Sequence, residues 1–155
     1  MSVVRGAVVY YSRYGNNEKT AEGVAQGLRE AGHEVELVNL KANKELAPGY
    51  DFLVVGSPTR GGRNSGPVRK FIKKNVGEQW RGKPFAAFGT CMHQTCEKGQ
   101  PSAAGEIHTE MEARGMEPLA DSFDNPVSGM KGPLAAAVAA RARSFGREAG
   151  EKLRG

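Results

Sequence analysis

The chain has 155 residues, 39% hydrophobic and 25% charged, the size and composition of one globular domain with its own core. It has no apolar run near the roughly 18 residues of a membrane span and no basic-then-apolar secretory leader. We therefore expect a complete, cytoplasmic, single domain over 1–155 without membrane insertion; its net charge of +5 fits either an anionic partner or a solvated basic face.

In chain order, Gly6 to Tyr11 is a continuous apolar run and predicts a strand buried on both faces. Thr20, Ala21, Val24, Ala25, Leu28 and Ala31 then recur at helical spacing, and Gly32 stands where a helix ends. "HEVELVNL" predicts a second strand nearer an edge, "KANKELAPGY" a connection, and "DFLVVGS" another buried strand. After "PTRGGRNSG", Pro67 opens a helix behind Ser65 or Gly66, with Val68, Phe71, Ile72 and Val76 on one side. "PFAAFGT" is a fourth strand, and Ala104, Ile107 and Met111 mark a helix ending near Gly115. "MEPLADSF" predicts a fifth strand at an edge, where Pro118 is tolerated, and "DNPVSGMKGP" a loop. Leu134, Val138, Ala142, Phe145, Ala149 and Leu153 line a closing helix.

Strand and helix in alternation build an α/β three-layer sandwich, with helices on both faces of a parallel sheet. Right-handed crossovers favour a five-stranded sheet in the order 2-1-3-4-5. The chain leaves the first and third strands in opposite directions, so their C-terminal ends frame a crevice of the kind that binds ligands.

Three loops open at that edge: "SRYGNNEKT" (Ser12 to Thr20), "SPTRGGRNSG" (Ser57 to Gly66) and "TCMHQTCEKGQPS" (Thr90 to Ser102). The first runs straight into a helix N-terminus, whose free N–H groups and dipole favour an anion. Ser12, Asn16, Asn17 and Thr20 add short polar groups, and Gly15 lets the backbone close around a phosphate. Neither a Walker ending nor G-x-G-x-x-G is present. In the third loop, Cys91, His93 and Cys96 do not have a standard zinc spacing, so no metal is expected. Two free thiols are the cytoplasmic default and a redox pair is the alternative. His93 is the one candidate for proton donation, against a plain surface role.

"YYSRYGNNEKTA" resembles the phosphate loop of flavodoxins, and its Tyr-Tyr-Ser-x-Tyr-Gly form is closer to flavodoxin-like quinone reductases of the WrbA type. "GSPTRGGRNSGPVRKF" is similar to the second loop of that group at Pro58, Thr59, Arg60, Gly62, Ser65, Gly66, Arg69 and Phe71. The resemblance implies a flavodoxin-like fold and FMN as cofactor. By the same analogy the phosphate falls to Ser12, Gly15, Asn16 and Asn17; Arg13 adds a charge or faces solvent, and Tyr14 belongs to the same cofactor site. Pro58, Thr59, Arg60, Gly61 and Gly62 would follow the flavin edge, with Thr90, Cys91 and His93 approaching from the other side. The second and third loops carry no Trp, Tyr or Phe to sandwich a flavin, which departs from the flavodoxin pattern.

Three functions stay open on this reading: an electron carrier between redox partners, an NAD(P)H-dependent reductase of quinones or similar acceptors, and a flavodoxin-fold module without flavin. The carrier would meet an acidic redox protein, because six basic residues and no acidic one lie between Ser57 and Gly77. A solvated helix face explains the same stretch. Nucleic acid is not an expected partner, and a homo-oligomer is compatible with the reductase.

Overall fold

The computed structural model describes residues 4–12, 15–59, 63–92, 101–127 and 136–154. Within them β1 (Arg5–Tyr10) leads to α1 (Asn16–Glu30), β2 (Glu34–Asn39) and β3 (Phe52–Pro58). Next come α2 (Gly66–Asn75), a single 3-10 turn at Glu78–Trp80 and β4 (Pro84–Met92). The chain closes with α3 (Ala103–Ala113), β5 (Glu117–Pro118), β6 (Phe123–Val127) and α4 (Ala136–Arg154). No helix among the described residues is long and apolar enough to cross a membrane.

All pairings in the sheet are parallel, and the order β2-β1-β3-β4-β5 agrees with the order read from the sequence. The fifth position is shared by two segments. β5 pairs with the start of β4, through Pro84 and Phe85, and β6 pairs with its end, from Phe88 to Met92. Asp124, Asn125, Pro126 and Val127 are thus strand, where the sequence suggested loop. Pro126 cannot donate to a ladder. It is accommodated because no further strand pairs with β6 in the structure described.

Period-two alternation sends the central strands' side chains into two cores. Ala7, Val9, Leu53, Val55, Phe85 and Ala87 meet Val68, Phe71 and Ile72 of α2 and Ile107 and Met111 of α3. Val8, Tyr10, Phe52, Val54, Ala86 and Phe88 meet Ala21, Val24, Ala25 and Leu28 of α1 and Ala142, Phe145 and Ala149 of α4. Trp80 is 5% exposed and belongs to the first core, so the only tryptophan is a packing residue.

His33 ties three parts of the chain together. Its Nδ1 accepts from the Val4 amide at 3.3 Å, which leaves Nε2–H to donate to the Gly150 carbonyl at 2.8 Å. The ring is 4% exposed. It joins the lead into β1, the turn before β2 and the last turns of α4.

Candidate functional site

The C-terminal ends of β1, β3 and β4 lie side by side, with Tyr10 level with Gly56 and Pro58 level with Thr90. The loops that follow them share this edge.

At the end of β1, Ser12 is 6% exposed and its Oγ accepts from the Gly15 amide at 3.0 Å. Gly15 sits at φ 95°, a left-handed conformation that a side chain resists, and from there the chain enters α1. The first helical bond, Lys19 N–H to Gly15 O at 3.0 Å, leaves the amides of Asn16, Asn17 and Glu18 outside the helical ladder. No side chain caps them from the Gly15 position. Asn17 is 1% exposed, and its Nδ2 donates to the Tyr11 carbonyl at 2.8 Å. Its Oδ1 is buried with no hydrogen-bond partner among the described residues. The structure therefore assembles Ser12, Gly15 and Asn17 into one turn under a helix end with no side-chain cap among the described residues. Arg13 and Tyr14 lie outside the described residues.

Tyr10 and Glu18 brace this turn from below. The Tyr10 hydroxyl donates to Glu18 Oε2 at 3.1 Å. Burial, and then the Glu18 carboxylate beside it, push the phenol up to about 12. This bond turns the one acidic group in the first turn of α1 toward β1.

The second loop is built on hydroxyls. Ser57 Oγ donates to the Pro58 carbonyl at 2.8 Å and accepts from the Ser65 amide at 2.8 Å, closing the loop at its neck. The Thr59 amide donates to Thr90 O at 2.8 Å, and Thr59 Oγ1 accepts from the Ala103 amide at 3.0 Å. Thr59 therefore connects the second loop to the end of β4 and to the start of α3. Arg60, Gly61 and Gly62 lie outside the described residues. Where the loop is described again, Glu106 of α3 holds it: its carboxylate accepts from the Asn64 amide at 3.1 Å and from Arg63 Nε at 3.2 Å. Arg69 adds a bond to the Asn64 carbonyl and another to Asn64 Oδ1 at 3.1 Å.

In the third loop Thr90 and Cys91 are 4% and 3% exposed, and His93 and Cys96 lie outside the described residues. Cys91 is disulfide-bonded, which corrects the expectation of a free thiol there. That expectation came from the compartment alone, which carries no information on which sulfur atoms the fold brings together.

Two site neighbours were not legible in the sequence. Asn125 donates from Nδ2 to Thr20 Oγ1 at 3.3 Å, linking β6 to α1 just behind the first loop. Asp124 lies beside Gly89 in the sheet register, and its Oδ1 is buried. Glycine makes the room: a Cβ at Gly89 would stand 3.3 Å from Asp124 Oδ1 and 2.7 Å from the Ser57 carbonyl. Burial raises the Asp124 carboxyl above its ordinary range, against weaker pulls downward from Ser102 and the Ala104 amide. Both residues were hidden because their strand was read as loop.

The fold is shared with known proteins. A flavodoxin from the domain Archaea superposes with a TM-score of 0.81 and 21% identity, over 97% of this chain and 99% of that one. A protein of Paraburkholderia phymatum named NAD(P)H dehydrogenase (quinone) is 33% identical over 137 residues, 74% of this chain and 69% of that protein. A protein of Aquifex aeolicus named flavodoxin is 40% identical over 88 residues, 54% of this chain and 48% of that protein. The family model described as a flavodoxin domain matches residues 7–124. With three-quarters of its length matched, and the strand order and loop placement described above, the chain belongs to the flavodoxin-domain family.

Proposed function

We propose that the chain binds FMN at the C-terminal edge of its sheet and passes electrons. The observation that carries this reading is the N-terminus of α1 below the Ser12–Gly15 turn, where the helix's N-cap makes no side-chain cap among the described residues. Amides without helical partners, a left-handed glycine and a buried serine hydroxyl fit a phosphate, and the helix dipole adds to them. Ser12, Gly15, Asn16 and Asn17 would hold the phosphate, with Arg13 adding a positive charge and Tyr14 belonging to the same cofactor loop. Pro58, Thr59, Arg60, Gly61 and Gly62 would orient the ring from one side and Thr90, Cys91 and His93 from the other. The Cys91 sulfur is in a disulfide, so this residue has backbone groups and not a thiol to offer.

When bound, FMN supplies one- and two-electron redox chemistry. The protein's part is to bind and orient it, which the Ser57, Thr59 and Glu106 bonds serve by bracing the second loop. Two uses follow. As a carrier, the protein meets an acidic redox protein through the basic stretch of α2. As an enzyme, it takes hydride from NAD(P)H and reduces a quinone. Each use has a relative behind it: the one at 33% identity is named NAD(P)H dehydrogenase (quinone), and the one at 40% is named flavodoxin.

The test is a visible spectrum of the purified protein with FMN titrated in, followed by anaerobic NADH or NADPH. Bleaching by either cofactor selects the reductase, and an inert bound flavin selects the carrier. Replacing Ser12 and Asn17 by Ala should weaken FMN at least tenfold and riboflavin far less, since only FMN carries the phosphate. Equal losses for both ligands would refute the phosphate assignment.

A further inference from the structure

A second cavity, of about 490 Å³, opens on the α2 side of the sheet edge, lined by Tyr11, Leu40, Phe71 and four lysines. None of the residues assigned to FMN lines it. Its floor is apolar: Leu40 and Phe71 are 2% and 3% exposed, and Pro67 flanks them. Its rim is cationic. Lys41 and Lys44 come from the connection after β2, and Lys70 and Lys74, four residues apart, share one side of α2.

The walls are fixed relative to each other. Asn75 at the end of α2 donates to the Lys44 carbonyl at 3.3 Å and accepts from the Leu46 amide at 3.3 Å. Asn39 Oδ1 accepts from the Lys41 amide at 3.0 Å, which pins the other end of the connection. Lys41 Nζ stands 5.7 Å from the Tyr11 ring centroid, within cation–π range. A carboxylate among these groups, Glu45, pairs with Lys74 at 3.0 Å, and both side chains are largely exposed. An exposed pair of this kind offsets little of the positive field.

We propose that this cavity binds a nucleoside phosphate: an aromatic ring on the Tyr11, Leu40 and Phe71 floor, and two or more phosphate charges on Lys41, Lys44 and Lys70. The volume lies within the roughly 300–1,000 Å³ of small-molecule sites. A flat basic face would suit an acidic protein, but a concave one with an apolar floor suits a ligand that is part ring and part anion. Such a ligand exists both as a free nucleotide and as the phosphorylated adenosine half of a dinucleotide.

The experiment uses protein in the presence of excess FMN, so that the first loop does not compete, and titrates ADP by calorimetry and amide NMR. ADP should shift the Leu40, Gly66 and Phe71 amides and bind more weakly as salt rises. Adenosine and inorganic pyrophosphate should each bind at least tenfold more weakly than ADP. Lys44→Gln with Lys70→Gln should reduce ADP affinity at least tenfold and leave the FMN titration unchanged, whereas Lys152→Gln on α4 should change neither. Displacement of ADP by NADP+ would identify the dinucleotide as the natural source, and ADP binding without displacement would identify a free nucleotide. Absence of ADP binding, or binding indifferent to the two lysines, would overturn the proposal. Pyrophosphate binding as tight as ADP would overturn the role of the apolar floor. Because FMN binding is read separately, neither failure bears on the flavin assignment.

Discussion

Gly27 of α1 rests directly on the main chain of α4 at Arg143. A Cβ at Gly27 would stand 2.1 Å from the Arg143 carbonyl oxygen and 2.6 Å from the Arg147 amide nitrogen. The contact is mutual: a Cβ at Gly146 would stand 2.1 Å from the Val24 carbonyl. The two helices approach so closely because each presents glycine to the other's backbone, and backbone atoms cannot rotate away as a side chain can. Glu30 then clamps the pair by bonding Arg143, its Oε1 accepting from Nε at 2.8 Å.

Gly27→Ala should therefore destabilise the fold. Alanine gains about 1 kcal/mol in helix propensity, but forcing the helices apart costs about 3 kcal/mol by analogy with overpacked cores. We expect a net loss near 2 kcal/mol in urea denaturation. Gly146→Ala should behave alike, and the double variant should lose less than the sum, because one separation relieves both contacts. Strict additivity would show that the two glycines do not share a gap.

Glu106 is expected to act on the second loop as a brace. Glu106→Ala removes the acceptor for the Asn64 amide and should cost about 1 kcal/mol. It should also speed hydrogen exchange at Asn64 and weaken FMN binding severalfold. Glu106→Gln keeps an acceptor and loses only the exposed pair with Arg63, a contribution of about 0–1 kcal/mol. Exchange at Asn64 should stay slow in that variant. Rapid exchange in both would mean that the charge, and not the hydrogen bond, holds the loop.

Asp124 should give stability a pH dependence opposite to that of a paired carboxylate. Its folded value is raised, so between the ordinary value and the folded value the native state binds more protons than the unfolded chain. The favourable contribution is complete below the ordinary value of 3.8 and is lost as pH rises through the folded value. Asp124→Asn removes the titration. Relative to the parent, the variant should gain stability between pH 3 and pH 7, measured by chemical denaturation across that range. A constant difference would show that Asp124 is as well solvated folded as unfolded.

The sequence by itself determined the layers, the strand order and the placement of the loops. Continuous apolar runs such as Gly6 to Tyr11 can only be buried on both faces, and helix-spaced segments between them require parallel crossovers of one hand. It also located the first loop, since Ser12, Gly15 and Asn17 act within six consecutive residues that fold as a local turn. Tertiary structure decided the contacts between residues distant in sequence. Glu106 reaches Asn64 across 42 residues and Asn125 reaches Thr20 across 105. The lysine-rimmed cavity likewise joins a connection after β2 to α2 only when both pack at the sheet edge. Local spacing reports which face a residue takes. Which groups then meet depends on how two elements are laid together, and glycine at Gly27, Gly89 and Gly146 leaves the space that permits it.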